Sequence, residues 1–259
     1  MKIFLSNNNM KTILKKIIKL LLPSFFINFI NMSIKRVYVF LNWNPWTNYY
    51  YSQEGEDILL QRIFNSQKKG FYIDIGAHHP KRFSNTYLFY QRGWQGINID
   101  CMPESMKLFE KLRPRDINLE LGIAENESIN DYYIFNEPAL NSFSKEHSEK
   151  MNQANNKYYI KKIIKVKTMP LSKILDIHLK NKEIDFLDID VEGMDLGVLS
   201  SNDWSKYRPK FVLVEIINNN LNNMDKDPVI QFMKKHNYII YAKLDNTVFF
   251  KDLSVDIKY

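Results

Sequence analysis

Within "GFYIDIGAHHP" (residues 70–80) an apolar run carries Asp74 and ends in Gly76, Ala77 and the adjacent pair His78 and His79. An imidazole titrates near pH 6.5, so either histidine suits general-base work. Pro80 restricts the backbone of the residue before it, which makes His79 the first choice. A second acidic group lies far along the chain, with Asp188, Asp190 and Glu192 in "DFLDIDVEG", then Glu215 and Asn218 after "FVLV". Asp190 and Glu215 are alternative bases, or oxygen ligands for a hard divalent cation such as Mg that would lower the pKa of a bound hydroxyl. The competing reading of "DIDVEGMD" is a set of acids favouring the N-terminus of the next helix. A zinc site from His78, His79, Cys101, His147 and His178 lacks any recognised ligand spacing.

These residues fall at the ends of strand-like runs. From Gly70 onward, short apolar runs alternate with helical patterns, the signature of a parallel sheet with crossover helices. The expected strands are Phe71–Ile75, "GINID", "INLELGIA", "EIDFLDID" and "PKFVLVEII", closed by an antiparallel pair, "YIIYAKL" and "TVFFKD". "ESINDYYIFN" and "IIKVKTM" read as a hairpin around the polar stretch "EPALNSFSKEHSEKMNQANN", taken as a mobile loop. Ser84 or Asn85 is placed to cap a helix that ends at Gly93. In such a sheet ligands sit beyond the carboxyl ends of the strands. Asp100, closing the second strand, is placed to accept hydrogen bonds from both hydroxyls of a ribose. A dinucleotide would call for G-x-G-x-x-G before a helix, and this loop has one glycine followed by A-H-H-P. S-adenosylmethionine, with a ribose and no phosphate, fits that loop.

"SQEGED" (residues 52–57), residues 70–100, "RPRDINL", "PALNSFS", "IDFLDIDVEGMDLGVL" and "RPKFVLVEI" together resemble the FkbM-type S-adenosylmethionine-dependent methyltransferases, in collinear order over residues 50–217. The resemblance implies an α/β class I methyltransferase fold, a Rossmann-like three-layer sandwich with a mostly parallel seven-stranded sheet and an antiparallel last strand. It also implies O-methylation of a hydroxyl, often on a sugar. Carried over by position, Asp74, Gly76 and Ala77 would shape the methionine-side loop, Asp100 with Cys101 would hold the ribose, and the backbone around Gly122 would border the adenine. Gln53 and Glu56 would reach the amino-acid end of the cofactor or the acceptor, and Asn85 is a further cofactor-binding candidate. Asp100-Cys101 stands where Glu-Pro is frequent in the family, a change that keeps the ribose-binding acid. The expected acceptor is a nucleotide-activated sugar or a capsular or lipopolysaccharide glycan; a non-sugar small molecule or a phosphate-type group is the alternative.

Charge separates the chain into two parts. The formal net charge is +7, and residues 1–53 hold seven basic side chains and no acid, which leaves 29 basic against 29 acidic side chains beyond. Residues 1–50 therefore read as a basic amphipathic helical extension, with Ile13, Leu14, Ile17, Ile18, Leu21 and Leu22 opposite Lys11, Lys15, Lys16 and Lys19, and residues 51–259 as the catalytic domain. The uncharged run from Leu20 to Ile34, broken by Pro23, is short of the roughly 18–20 residues of a span. A peripheral contact of residues 1–45 with anionic inner-leaflet lipid is expected, with packing on the domain or a partner as the alternative. A purely lipid-docking protein without catalysis would leave the clustered acids unexplained. The neutral catalytic part argues against nucleic acid as substrate. A single cysteine excludes an internal disulfide and fits the cytoplasm.

Overall fold

The computed structural model describes residues 48–154, 157–216, 221–222 and 224–256. Residues 1–47, where the basic amphipathic helix is expected, and Asn218 lie outside them. Tyr50–Tyr259 forms one compact unit. None of the described helices is long and apolar enough to cross a membrane.

In chain order the elements are α1 (Glu56–Ile63), β1 (Phe71–Ile75), α2 (Tyr87–Gln91), β2 (Gln95–Asp100), α3 (Ser105–Leu112), β3 (Ile117–Glu120), β4 (Gly122–Ile123), β5 (Ser128–Phe135), α4 (Lys145–Ala154), β6 (Ile160–Met169), α5 (Leu171–His178), β7 (Phe186–Ile189), α6 (Asp195–Ser200), β8 (Phe211–Glu215), α7 (Pro228–Lys235), β9 (Tyr238–Leu244) and β10 (Thr247–Asp252). The main sheet has seven strands in the order β3-β2-β1-β7-β8-β10-β9. β3, β2, β1, β7 and β8 run parallel, and β10 enters antiparallel between β8 and β9. This is the class I methyltransferase arrangement, with the antiparallel hairpin at its end.

Both faces of the sheet are covered, which explains why its strands are apolar along their whole length. On β1, Phe71, Ile73 and Ile75 enter an aliphatic core with Leu171, Ile174, Val198 and Ile230 from α5, α6 and α7. Tyr72 points the other way, into an aromatic core with Leu60, Phe64, Phe89, Trp94 and Phe186. Asp227 caps α7 by accepting from the Val229 N–H at 2.9 Å, with Pro228 at the first helical position. Gly93, at φ +94°, ends the turn after α2.

Two expectations about the middle of the chain need correction. "INLELGIA" is not one strand: it breaks at Leu121, so that β3 edges the main sheet while β4 joins β6 and β5 in a second, three-stranded sheet. The polar stretch read as a loop holds a 3-10 turn, Pro138–Leu140, and the ten-residue helix α4. Ser144 Oγ accepts the His147 N–H at the start of that helix, a local signal that its polar composition concealed.

The largest fully buried charged side chain is that of Arg113, directly after α3, and the side chain of its partner Asp116 is fully buried as well. Arg113 Nε donates to Asp116 Oδ2 at 2.9 Å, and Nη2 donates to Tyr72 Oη and Thr86 Oγ1, each at 2.9 Å. Asp116 also accepts from Tyr72 Oη at 2.7 Å and from the Gly96 N–H at 2.9 Å. Removing one member of a buried pair strands the other. Arg113→Met should therefore lose about 3–5 kcal/mol of stability, read as a lower urea midpoint at unchanged slope; a midpoint equal to that of the wild type would show the network to be energetically idle.

Candidate active site

At the carboxyl edge of the main sheet lies a cavity of about 430 Å³, a size within the range of small-molecule sites. Its wall includes Gln53, Gly76, His78, Asp100, Cys101, Gly122, Asp190 and Glu215, eight of the residues singled out from sequence. His79, Asp74, Ala77 and Asn85 are not on that wall.

The turn after β1 is built by close approach. Gly76, at φ +84°, comes so near the β7 turn that a Cβ on it would lie 1.8 Å from the Asp190 carbonyl oxygen. Both Gly76 and Ala77 donate their N–H to the Ile99 carbonyl, which ties the turn to β2. Ala77 is buried against Met106 and Phe109 on the far side of the turn rather than facing the cavity. His78 follows at φ +49° and donates its N–H to Asp100 Oδ2 at 2.8 Å. Its ring lines the cavity, and burial together with the adjacent Arg82 charge lowers its pKa.

His79, the first-choice base from sequence, is committed elsewhere. Its Nδ1 accepts the N–H groups of Lys81 at 3.0 Å and Arg82 at 2.9 Å. The imidazole thus staples the turn at Pro80, and that nitrogen has no lone pair to offer a substrate.

Asp100 meets two backbone donors, the His78 N–H on Oδ2 and the Met102 N–H at 2.7 Å on Oδ1. Each oxygen keeps a second lone pair for a ligand hydroxyl. Burial raises its pKa to about 6, with the two backbone bonds opposing. The neighbouring Cys101 thiol is pushed far up by burial and by the Asp100 charge, so it is an uncharged, inert lining group hydrogen-bonded with Tyr132. Gly122 makes room for an aromatic wall: a Cβ there would lie 2.5 Å from the Phe143 ring. Phe143 belongs to "NSFS", in which Asn141 accepts the Phe135 N–H at 2.8 Å and Ser142 donates to the Glu192 carbonyl at 2.7 Å. That motif carries Phe143, a flat apolar wall beside Gly122 that sequence reasoning left without a role.

Asp74 lies behind the cavity, on the aromatic face of β1. It accepts from the Thr86 hydroxyl and faces the Arg113 charge, though burial still raises its pKa. Directly across from it on β7 is Asp188, in register, whose carboxylate accepts from Asn85 Nδ2 at 2.9 Å. Burial and the Asp74 charge push Asp188 well above the carboxylate range. The expected capping of α2 is divided among three neighbours. Ser84 Oγ takes the Tyr87 N–H at 3.1 Å, Asn85 serves Asp188, and Thr86 serves Asp74.

The opposite end of the cavity is acidic. Asp190, Glu192 and Glu215 each bring a carboxylate oxygen within 4.8 Å of the others. Burial, then the Glu192 and Asp195 charges, raises the pKa of Glu215 to about 8. Desolvation and the Glu215 and Glu192 charges drive Asp190 well above its usual value. Glu215 Oε2 is buried without a hydrogen-bond partner among the described residues. His147 Nε2, from α4, stands 3.5 Å from Glu192, which raises the histidine pKa. No side chain caps α6: Asp195 is the acid of its first turn, and it accepts the Val191 and Gly193 N–H groups of the preceding loop at 3.2 Å each. Asp190 and Glu215 share a side-chain hydrogen bond, and the pair borders the cavity with Glu215 Oε2 unpartnered among the described residues.

"SQEGED" closes the cavity from above. Ser52 donates to the buried Asp57 at 2.8 Å, and Asp57 accepts the Tyr51 N–H at 2.8 Å. Glu54 takes the Asn246 N–H, and Glu56 takes the Thr247 hydroxyl at 3.1 Å. Glu56 is thus a buried strut rather than a cofactor contact, and Gln53 is the member left exposed in the cavity.

The family model described as the methyltransferase FkbM domain matches residues 74–240. No curated protein matches the chain. Among solved structures, the chain is similar to a proposed RNA methyltransferase of Pyrococcus horikoshii, at 10% identity and TM-score 0.39 over 77% of this chain and 83% of that one. It is also similar to a precorrin-6y C5,15-methyltransferase of Geobacter metallireducens, at 10% identity and TM-score 0.36 over 75% and 85%.

The clash at Gly76 gives a direct check on the turn. Gly76→Ala should lose about 2–4 kcal/mol and the ability to bind S-adenosylmethionine by calorimetry. Gly93→Ala, where nothing lies within 4 Å of the new Cβ, should cost only the left-handed strain of about 1–2 kcal/mol and keep binding. Equal effects of the two would remove the argument from close approach.

Proposed function

The chain belongs to the FkbM family of S-adenosylmethionine-dependent methyltransferases, and from that premise we propose that it methylates a hydroxyl of a carbohydrate, a nucleotide-activated sugar or a capsular or lipopolysaccharide glycan. The observation that carries this reading is one continuous cavity with Asp100, Gly122 and Phe143 in one part and three carboxyl groups in another. The first part fits the cofactor. Asp100 offers one spare lone pair per oxygen to the two ribose hydroxyls, the Phe143 face beside Gly122 suits a purine, and the turn at Gly76 admits the methionine end against backbone.

When bound, the cofactor supplies an electrophilic methyl group on a sulfonium sulfur. The residues must do the rest: orient a weakly nucleophilic hydroxyl and take its proton. Glu215 is the base we assign, since its pKa of about 8 lies close to working pH, where a general base contributes roughly 10²- to 10⁴-fold. Asp190 and Gln53 are placed to hold neighbouring hydroxyls, and alignment of the reacting atoms adds the proximity term. Crowded carboxyl groups repel a phosphate or carboxylate at the reacting centre, which disfavours the phosphate-type acceptor. They are well suited to neutral polyols. The seven basic side chains of residues 1–53 support a cytoplasmic site of action against anionic inner-leaflet lipid.

A second reading of the acidic end follows from its donor set. Three carboxylates within 4.8 Å match the all-oxygen preference of Mg or Ca. Asp190, Glu192 and Glu215 would hold such an ion, and the ion would lower the acceptor hydroxyl pKa.

Two measurements test these assignments. Asp100→Ala should weaken S-adenosylmethionine binding about 10- to 100-fold, the loss of hydrogen bonds to a charged acceptor, and wild-type affinity should fall as the pH drops through about 6; unchanged affinity removes Asp100 from the ribose. Glu215 is protonated below about 8 and ionised above it, so metal-free kcat/KM should rise with pH through that value, and Glu215→Gln should abolish the rise. If the cation reading is right, EDTA removes turnover and added Mg moves the acid limb to lower pH.

A further inference from the structure

We infer that Phe83 is the stacking platform on which the apolar face of the acceptor sugar ring rests, opposite the acids that hold its hydroxyls; this rests on the carbohydrate reading above. Three independent features of Phe83 lead here. Its backbone is at φ +58°, a left-handed conformation that costs a non-glycine residue about 1–2 kcal/mol. A bulky aromatic at such an angle is uncommon and clusters at binding sites. The ring is also 41% exposed, in a domain whose other phenylalanines near the site are buried or packed.

Position is the second feature. Beside the main cavity is a small one of about 40 Å³, lined by Glu54, Glu56, Asn85 and Asp188 among others. Four residues line both: Gln53, Phe83, Asp190 and Glu215. They mark the junction where an acceptor can enter toward the carboxyl groups. One aromatic face, one amide and two carboxyl groups around one space are the complement of a pyranose, which presents C–H bonds on its faces and hydroxyls at its rim.

The third feature is how firmly the ring is held. The chain from Gly76 to Ser84 is fixed by the His78 N–H on Asp100, by the two N–H groups on the His79 ring, and by the Ser84 N–H on the Tyr51 carbonyl at 3.1 Å. The Arg82 guanidinium lies 4.3 Å from the Phe83 ring centre, and the His78 ring stacks at 6.3 Å. Arg82 in turn pairs with Glu137 at 3.2 Å. An exposed ring with strained backbone and a pre-set orientation loses little entropy when a ligand lands on it. The His79 ring, by accepting the Lys81 and Arg82 N–H groups, helps fix the turn that leads into Phe83.

The experiment measures methyl transfer to UDP-glucose, UDP-N-acetylglucosamine, GDP-mannose and dTDP-rhamnose, with S-adenosylmethionine affinity followed in parallel by calorimetry. Phe83→Ala should raise acceptor KM about tenfold, the worth of one aromatic stack, with kcat within about twofold and cofactor affinity unchanged. Phe83→Tyr should restore KM. A wild-type KM in Phe83→Ala, on a sugar that is methylated, overturns the platform and leaves the carbohydrate reading standing. A drop in cofactor affinity also overturns it, since the ring would then serve the other ligand. If none of the sugars is methylated or bound by cofactor-loaded wild type, the carbohydrate reading falls and the platform with it.

Discussion

One buried cation organises the polar side of the sheet. Arg113 is fully enclosed, and a guanidinium removed from water is tolerated only when its donors are met by good acceptors. Here they are met by Asp116, Tyr72, Thr86 and Ser84. Those partners come from β1, from the start of α2 and from the turn before β3. The same charge faces Asp74, which makes an acid in the middle of a buried strand affordable. With Asp74 fixed through Thr86, the end of β1 and the entry to α2 are fixed too, and the turn that carries Gly76, His78 and Phe83 is strung between them. The site therefore inherits its geometry from an ion pair that is not on the cavity wall.

Neighbouring acids at the strand ends differ because their partners differ. Asp100 is crowded by protein, yet two backbone N–H groups support its negative form, and its pKa stops at about 6. Glu215 has an orphaned oxygen and two acidic neighbours, and its pKa rises to about 8. Hydrogen bonds to the charged form and like charges nearby act in opposite senses on groups of the same chemistry. The outcome is a carboxylate with spare lone pairs at Asp100 and a cluster of carboxyl groups with raised pKa around Glu215, both on the wall of one cavity. Such a division of labour between carboxyl groups follows from environment alone.

Much of this was legible along the chain, and the failures have a common cause. The alternation of apolar runs and helical patterns was local information, so the parallel strands, the Gly76 turn and the placement of Asp100 at the end of β2 could be read directly. The antiparallel end pair was legible for the same reason. His79 was misjudged because its ring nitrogen is consumed by N–H groups two and three residues ahead, a turn geometry that residue type does not announce. Asp74 looked like a ligand-facing acid because the pattern cannot say which face of β1 it occupies. That is decided by Tyr72 on the aromatic core and by Arg113 just after α3, some 40 residues away in sequence. Phe83 drew no notice at all. An aromatic residue ordinarily reads as core, and only the φ angle and exposure distinguish this one. The helix α4 was hidden by its polarity, since its hydrophobic contacts are few and its start depends on a serine side chain.

Strain in this domain is distributed with a purpose that the hydrogen bonds make visible. Among the described residues, the non-glycine positions with positive φ are Lys180, Asn181, Asn237 and Asp245 in surface turns, Glu104 at the exposed start of α3, and His78, Phe83 and Glu192 around the cavity. Turn residues such as Asn and Asp, and histidine with them, are enriched in that conformation, whereas a phenylalanine and a glutamate adopt it at greater cost. Two of the three around the cavity are pinned by a bond from a distant element: the His78 N–H by Asp100 on β2, and the Glu192 carbonyl by Ser142 from the segment after β5. Phe83 is held between the stapled turn and the Ser84 N–H on Tyr51. Each bond contributes about 0.5–1.5 kcal/mol, more where a carboxylate accepts, the same order as the strain it opposes. The balance is close, so the strained geometry persists only while all the anchoring elements are folded together. A pocket assembled this way is held in shape by the folded domain itself, which lowers the ordering cost that any ligand would meet on binding.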